Sequence, residues 1–446
     1  MKQILILGAG KIARPLVRYL LNVRDYRLVI GTLDVERAAD LLDEHPRGQV
    51  TSLDVGDRGA LEPLVREADV VVSLLPAGFN PPLARLALAH RKSLINTSYV
   101  APEMEELDAD ARREGVLLLN ETGLDPGIDH MSAVRVIHRL TVSGGTVTHF
   151  TSCCGGFPAP DANTNPWGYK FSWSPRGVFL AGRNAARYLR DGELVEIPGP
   201  ELFAHHWPYQ VEGQGVFEMY PNRDSLRYLE PYNLKSVQGI FRGTLRYPGW
   251  CSTLRAARQL GLLSLDEQEW PGGTTFRDFT MRRVPAGDGS TIDRLAGFLG
   301  ISTDSFVIAR LEWAGLLSDR TVPAGRAAPL DVFANRLARL MIYGKGERDM
   351  VALRHTFRAT FPDGHTEDVT SSLVEAGVPF GDTAMARTVS LPAAIATNLY
   401  LRGEIDVTGV QIPTLREIYD PVLEELDELG IRVKETWTTS YPGPLS

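Results

Sequence analysis

The sequence predicts an α/β protein: a doubly wound parallel sheet first, then an α/β domain with a mixed or antiparallel sheet, interrupted by a small helical insertion. Three observations carry this. Over the first 125 residues, short and continuously apolar runs alternate with stretches of helical spacing. From residue 144 to 251 the chain turns rich in Gly, Pro, Asn and aromatic residues and its apolar positions alternate, and from 252 to 316 helical spacing returns with only loops between. Strands that are apolar throughout and separated by helices suit a parallel sheet covered on both faces. A hydrophobic content of 43% and a charged content of 23% are those of a globular chain and exclude disorder or a fibre.

In chain order, strands are expected at residues 3–7, 27–30, 70–75, 93–95 and 116–119, with helices at 13–21, 36–44 and 82–90. Alternating runs at 146–152, 215–220 and 236–242 predict strands of the second domain, to which 351–361 and 367–373 return. Helices are expected at 254–262, 292–299, 306–317, 383–401 and 415–429; the acidic run 421–429 reads as an amphipathic helix with a solvated face. The domains are therefore 1–125, then 126–251 with 325–382, with 252–324 as the insertion and the helices of 383–446 packing back on the first domain.

Lys and Arg number 47 against 55 Asp and Glu, a net charge of -8, so nucleic acid and anionic membrane are not expected partners. Three Cys, two of them adjacent at Cys153 and Cys154, do not make a disulfide framework. No run reaches the 18 or so apolar residues of a membrane span, and a cytoplasmic setting is expected. A homodimer is expected only on general prevalence.

Gly8-Ala9-Gly10-Lys11-Ile12-Ala13 falls between an expected strand and an expected helix. Gly8 permits the tight turn, Gly10 leaves room for a pyrophosphate beside the backbone, and Ala13 allows close helix packing with the phosphate at the helix N-terminus. In a βα chain this predicts a Rossmann dinucleotide-binding domain; the alternative is a Gly-rich turn that binds nothing. The second strand ends at Thr32, and Asp34 would accept a hydrogen bond from the ribose 2′-OH of NAD. Arg37 stands near enough to favour the 2′-phosphate of NADP, so NAD or NADP is expected with a lean to NAD. Asp34 can also cap the next helix.

Ligands of such sheets lie beyond the carboxyl ends of the strands. Asp54 and Val55, Leu75, Ser98 and Tyr99, and the Leu124-Asp125-Pro126 turn stand there. Tyr99 and Asp125 are candidates for the nicotinamide side, against a capping aromatic and a plain turn. His205 and His206 lack metal-ligand spacing, and no metal is expected. Cys153 and Cys154, read as the end of a strand, are expected to pack, with Cys154 able to line the site. The sequons Asn96-Thr97-Ser98 and Asn120-Glu121-Thr122 are set aside because no secretion signal accompanies them.

Several longer blocks are distinctive: Gly123-Leu124-Asp125-Pro126-Gly127-Ile128-Asp129-His130-Met131, Cys154-Gly155-Gly156-Phe157-Pro158, Trp167-Gly168-Tyr169-Lys170-Phe171-Ser172-Trp173-Ser174-Pro175, Tyr220-Pro221-Asn222-Arg223-Asp224-Ser225 and Phe241-Arg242-Gly243-Thr244-Leu245-Arg246-Tyr247-Pro248-Gly249. With them the chain resembles, nearly end to end, the saccharopine reductases, the glutamate-forming saccharopine dehydrogenases of the aminoadipate route to lysine. The resemblance implies dinucleotide contacts from Gly8, Gly10, Lys11 and Ile12, adenine neighbours in Asp54 and Val55, and further cofactor contacts from Ser98, Leu124, Asp125, Pro126 and Ser174. It implies an amino-acid substrate held by Ser98, Tyr99, Asp125, Arg223, Thr244, Leu245 and Arg246. One departure stands out: NADP-using members commonly carry a basic and a hydroxyl residue where this chain has Leu33 and Asp34.

Saccharopine carries three carboxylates, which suit the guanidinium forks of Arg223 and Arg246. Its bridging amine must lose a proton before hydride can leave, so a proton acceptor is required. Asp125 is the first candidate, with Tyr99 and Cys154 next. A dehydrogenase acting on carboxynorspermidine and a non-catalytic dinucleotide sensor remain alternatives.

Overall fold

The computed structural model describes residues 1–441; positions 442–446 of the C-terminal segment lie outside the described residues. The chain forms two compact units, Met1–Val147 with Arg358–Ser446, and Thr148–Phe357.

The first unit opens with β1 (Lys2–Leu7), β2 (Tyr26–Thr32), β3 (Gly48–Ser52), β4 (Val70–Ser73), β5 (Ser93–Asn96) and β6 (Leu117–Leu119). β1 pairs in parallel with β2 on one side and β4 on the other, so the order reverses direction at β1. That reversal opens the crevice in which doubly wound sheets bind ligands. Helix Ala13–Asn22 buries Leu16, Val17, Leu20 and Leu21, and a core of Leu5, Leu7, Val29, Val71, Leu94 and Leu118 meets Leu83, Ala84 and Ala87 from the helix Asn80–Ala89.

The second unit carries β7 (Thr146–Pro158), the hairpin β8 (Ala186–Arg190) and β9 (Glu193–Ile197), β10 (Trp207–Val211), β11 (Gly215–Pro221), β12 (Gly239–Arg246), a short pair β13 (Gln268–Trp270) and β14 (Gly325–Ala327), and β15 (Asp349–Thr360). Its sheet runs β10-β11-β12-β7-β15. The pairs β10–β11 and β11–β12 are antiparallel whereas β12 and β7 are parallel, so the sheet is mixed. Cys153 and Cys154 lie inside the 13-residue β7, not at a strand end. The segment expected to be a separate helical insertion differs too. Its helices Phe276–Met281, Thr291–Leu299 and Phe306–Trp313 are one or two turns long, and their Phe279, Leu295 and Leu311 join one core with Phe157, Phe217 and Leu245 of the strands. A helix so short, with a single apolar stripe, must bury that stripe against another layer.

The chain then returns to the first unit with β16 (Thr366–Ala376), the helix Ala384–Arg402, β17 (Gly409–Gln411), the helix Arg416–Glu428 and β18 (Lys434–Ser440). Helix Ala384–Arg402 packs on helix Ala13–Asn22; Tyr26 Oη donates to Asn398 Oδ1 at 2.8 Å and Ser93 Oγ to Tyr400 Oη at 2.8 Å. β17 extends the parallel sheet beside β6, giving β17-β6-β5-β4-β1-β2-β3. Helix Ile128–Val142 packs against Arg416–Glu428, which carries the first unit past the boundary expected at residue 125.

Candidate functional site

Within the first unit, the turn after β1 has the properties a pyrophosphate needs. Gly8 sits at φ +100°, and a Cβ there would stand 3.3 Å from the Leu74 carbonyl oxygen, whereas a Cβ on Gly10 would meet nothing within 4 Å. The helix that starts at buried Ala13 has Ile12 as its N-cap, with no side-chain cap and no acidic residue in its first turn. Of its first N–H groups, that of Ala13 donates to Gly10 O at 3.2 Å and Pro15 has none, which leaves the Arg14 N–H for an anion. By contrast, Asp34 and Asp57 cap the two following helices, accepting from Arg37 N–H and Ala60 N–H. Burial and then the Arg37 charge hold the Lys11 ammonium below its ordinary pKa, so two cations face one region.

Thr32 is buried at the end of β2, and its hydroxyl accepts from Asp34 N–H at 3.2 Å. Asp34 is exposed, its Oδ1 bonded to Arg37 N–H at 3.1 Å. Past β3, exposed Asp54 accepts from Gly56 N–H at 2.9 Å beside half-buried Val55. Leu75 follows β4, and its Cδ2 would lie 3.5 Å from a Cβ on Gly8.

The loops after β5 and β6 come together. Tyr99 Oη donates to Asp125 Oδ1 at 2.7 Å, and both residues are half-buried. Ser98 N–H donates to Asn96 Oδ1 at 2.9 Å and its carbonyl accepts from Glu121 N–H at 3.1 Å. Leu124 and Pro126 are buried, their carbonyls accepting from Asp129 N–H and Gly123 N–H. Gly127, at φ +148°, has no room for a Cβ, which would stand 2.0 Å from Gly123 O. Sequence reasoning missed Glu121 and His130, both fully enclosed beneath these loops. The available signal was an ionisable residue two positions after the apolar run 116–119.

In the second unit, strand alternation places Arg242, Thr244 and Arg246 of β12 on one face. Cys154 of β7 is the parallel partner of Thr244, while Tyr220 and Glu218 of β11 oppose Thr244 and Arg246. Arg246 is only 7% exposed. Its guanidinium stands 5.2 Å from the Tyr169 ring centroid and 5.6 Å from that of Trp250. Nη1 donates to Leu245 O at 2.8 Å, Nε has no partner, and no carboxylate pairs with it among the described residues. Burial pushes the Tyr220 phenol up to about 12, so it stays a neutral donor at physiological pH. Cys154 is buried. The Leu245 side chain lies in the core on the opposite face, which leaves only its backbone for a ligand. Arg223 is exposed, at φ +57° in the turn after β11. Ser174 is exposed and caps helix Pro175–Ala181, accepting from Gly177 N–H at 3.1 Å.

The fold and its glycine turn define a dinucleotide-binding protein of the doubly wound class. Residues 4–119 match the family model described as saccharopine dehydrogenase NADP binding domain, and residues 123–431 match the saccharopine dehydrogenase C-terminal domain. The chain belongs to the saccharopine dehydrogenase family. It is 39% identical to saccharopine dehydrogenase [NADP(+), L-glutamate-forming] of Pyricularia oryzae, covering 97% of this chain and 98% of the relative. For the Saccharomyces cerevisiae enzyme of the same name the values are 37%, 97% and 99%. The alpha-aminoadipic semialdehyde synthase, mitochondrial, of Bos taurus is 36% identical over 96% of this chain but only 47% of its own length. The solved apo histidine-tagged saccharopine dehydrogenase (L-Glu forming) from Saccharomyces cerevisiae superposes with a TM-score of 0.87 at 36% identity, covering 98% of this chain and all of that one. The family description and these names carry NADP, against the lean to NAD drawn from Asp34.

Proposed function

We propose that the protein is an L-glutamate-forming saccharopine dehydrogenase, interconverting saccharopine, NADP+ and water with L-glutamate, 2-aminoadipate 6-semialdehyde and NADPH. The observation that carries this reading is Arg246, an enclosed guanidinium without an acidic partner, on the same sheet face as Thr244 of its own strand and Cys154 of the neighbouring β7. Burying a charge unpaired is costly, and a substrate carboxylate relieves that cost with a charge-assisted fork. Arg223, at the exposed turn, is assigned a second carboxylate.

The dinucleotide, held by Gly8, Gly10, Lys11, Ile12 and Ala13 at its phosphates and by Asp54 and Val55 near the adenine, supplies the hydride acceptor. The chain's own residues manage the proton. Asp125 takes it from the bridging amine, which must be neutral before the neighbouring carbon can give up hydride. The Tyr99 hydroxyl, bonded to Asp125 Oδ1, orients that carboxylate and keeps it from swinging into solvent. Water then adds to the resulting imine and the carbinolamine breaks at its C–N bond, releasing glutamate and the aldehyde. Cys154, buried and uncharged, shapes the wall beside Thr244.

NADP is assigned over NAD because the Asp34 carboxylate is committed to its helix cap, while Lys11 and Arg37 bring two cations to the end of β2. We further propose a cytoplasmic homodimer, consistent with three buried free thiols. Absorbance at the nicotinamide band, with saccharopine and each dinucleotide in turn, tests the assignment. Reduction of NADP with saccharopine, at least about tenfold faster than NAD at low concentration, is expected, and Arg37→Ala removes the preference. Reduction of NAD alone overturns the dinucleotide assignment; silence with both, from protein that still binds them, overturns the substrate.

A further inference from the structure

Glu121 follows β6 with its backbone at φ +57°, a left-handed conformation uncommon for a residue with a side chain. Its carboxylate is 1% exposed and reaches in two directions. Oε1 accepts from Val100 N–H at 2.9 Å, and Oε2 lies 2.7 Å from Nε2 of His130, which has no exposed surface. Beside them, Asp129 Oδ1 accepts from Gly127 N–H at 2.6 Å and stands 3.7 Å from His130 Nδ1. An imidazole and two carboxylates enclosed together are expensive to bury.

The bonds of this cluster converge on one pair of residues. Val100 is next after Tyr99, and Glu121 N–H donates to the carbonyl of Ser98, immediately before it. Asp129 N–H donates to the carbonyl of Leu124, immediately before Asp125. Glu121 thus grips the Tyr99 loop from both sides. His130 ties that grip to the helix Ile128–Val142, whose first turn holds the Asp125 loop.

We propose that Glu121 and His130 are positioning residues, fixing the Tyr99–Asp125 hydrogen bond in the geometry that proton transfer requires; this rests on the role given to that bond above. The test is a double-mutant cycle on kcat, with melting temperature and dinucleotide affinity measured for every variant. His130→Ala is expected to lower kcat by about tenfold or more, leave the KM for the dinucleotide within about twofold, and be largely rescued by His130→Gln, which keeps a donor toward Glu121. Tyr99→Phe is expected to lower kcat by itself, and adding His130→Ala is expected to lower it little further. Should His130→Ala not fold, the cycle runs with Glu121→Gln, which keeps the volume and the bond from Val100. Losses that multiply independently overturn the positioning role while leaving Tyr99 in the reaction. A Tyr99→Phe enzyme of ordinary kcat overturns the proton-handling reading, and the positioning role with it.

Discussion

A guanidinium enclosed beside the rings of Tyr169 and Trp250, with its Nε unbonded, is not explained by folding energetics. An apolar side chain would fill the same space at less cost, so its retention points to a ligand. Arg246→Lys keeps the charge and discards the planar fork. The expected result is a KM for saccharopine raised roughly thirtyfold, as for a loss of about 2 kcal/mol, with the KM for the dinucleotide unchanged; steady-state kinetics decides, and an unaltered saccharopine KM removes Arg246 from the site. The glycines of the turn and the candidates Tyr99 and Asp125 were legible because each stands at a strand end, where position alone carries meaning. Glu121 and His130 were not, since their partners are fixed by tertiary placement. Leu245 was assigned to the substrate because it lies within a distinctive block; alternation along β12 turns its side chain into the core.

Elements show the same division. Parallel strands announce themselves as apolar runs, and β1, β2, β4, β5 and β6 fall close to where they are expected. The half-exposed β3 has no continuous apolar run and was marked only by its end at Asp54-Val55, and the β8–β9 hairpin escaped although Asp191-Gly192, both at positive φ, is a strong two-residue turn signal. Loops between elements are held by charge. Lys170 Nζ, 5% exposed, lies 2.5 Å from Glu347 Oε2 ahead of β15. The Lys170 hydrogen bond, and then the Gly344 N–H, hold the Glu347 carboxyl below its ordinary 4.5. A depressed folded value means that this contact stabilises fully above 4.5 and is lost as pH falls through the lower, folded value. Lys170→Met should therefore cost roughly 2 kcal/mol at neutral pH, the partial exposure of Glu347 reducing the penalty of a broken buried pair. Denaturant unfolding checks it: the gap to the parent protein narrows below pH 4.5, and a gap that widens there contradicts the ion pair as the cause.

On the scale of the whole molecule, the candidate residues are drawn from both units. The dinucleotide turn and the Tyr99–Asp125 bond belong to the first, and Arg246 with Thr244 and Cys154 to the second. The composition could indicate only a large globular chain with net charge -8; an acidic protein that takes a tricarboxylate must rely on local cations, which composition does not locate. Ligand-linked stability makes both sets measurable, because a ligand that binds only the folded state adds RT ln(1 + [L]/Kd), about 2.7 kcal/mol at a hundredfold excess over Kd. NADP is expected to raise the melting temperature by several degrees, and saccharopine, added to the NADP complex, to raise it again. In Arg246→Lys the first increment persists and the second shrinks at the same saccharopine concentration, because the variant weakens one site alone. A protein that only sensed the dinucleotide would give the first increment without the second in the parent chain, so the size of that second step separates an enzyme acting on saccharopine from a dinucleotide-binding protein of the same fold.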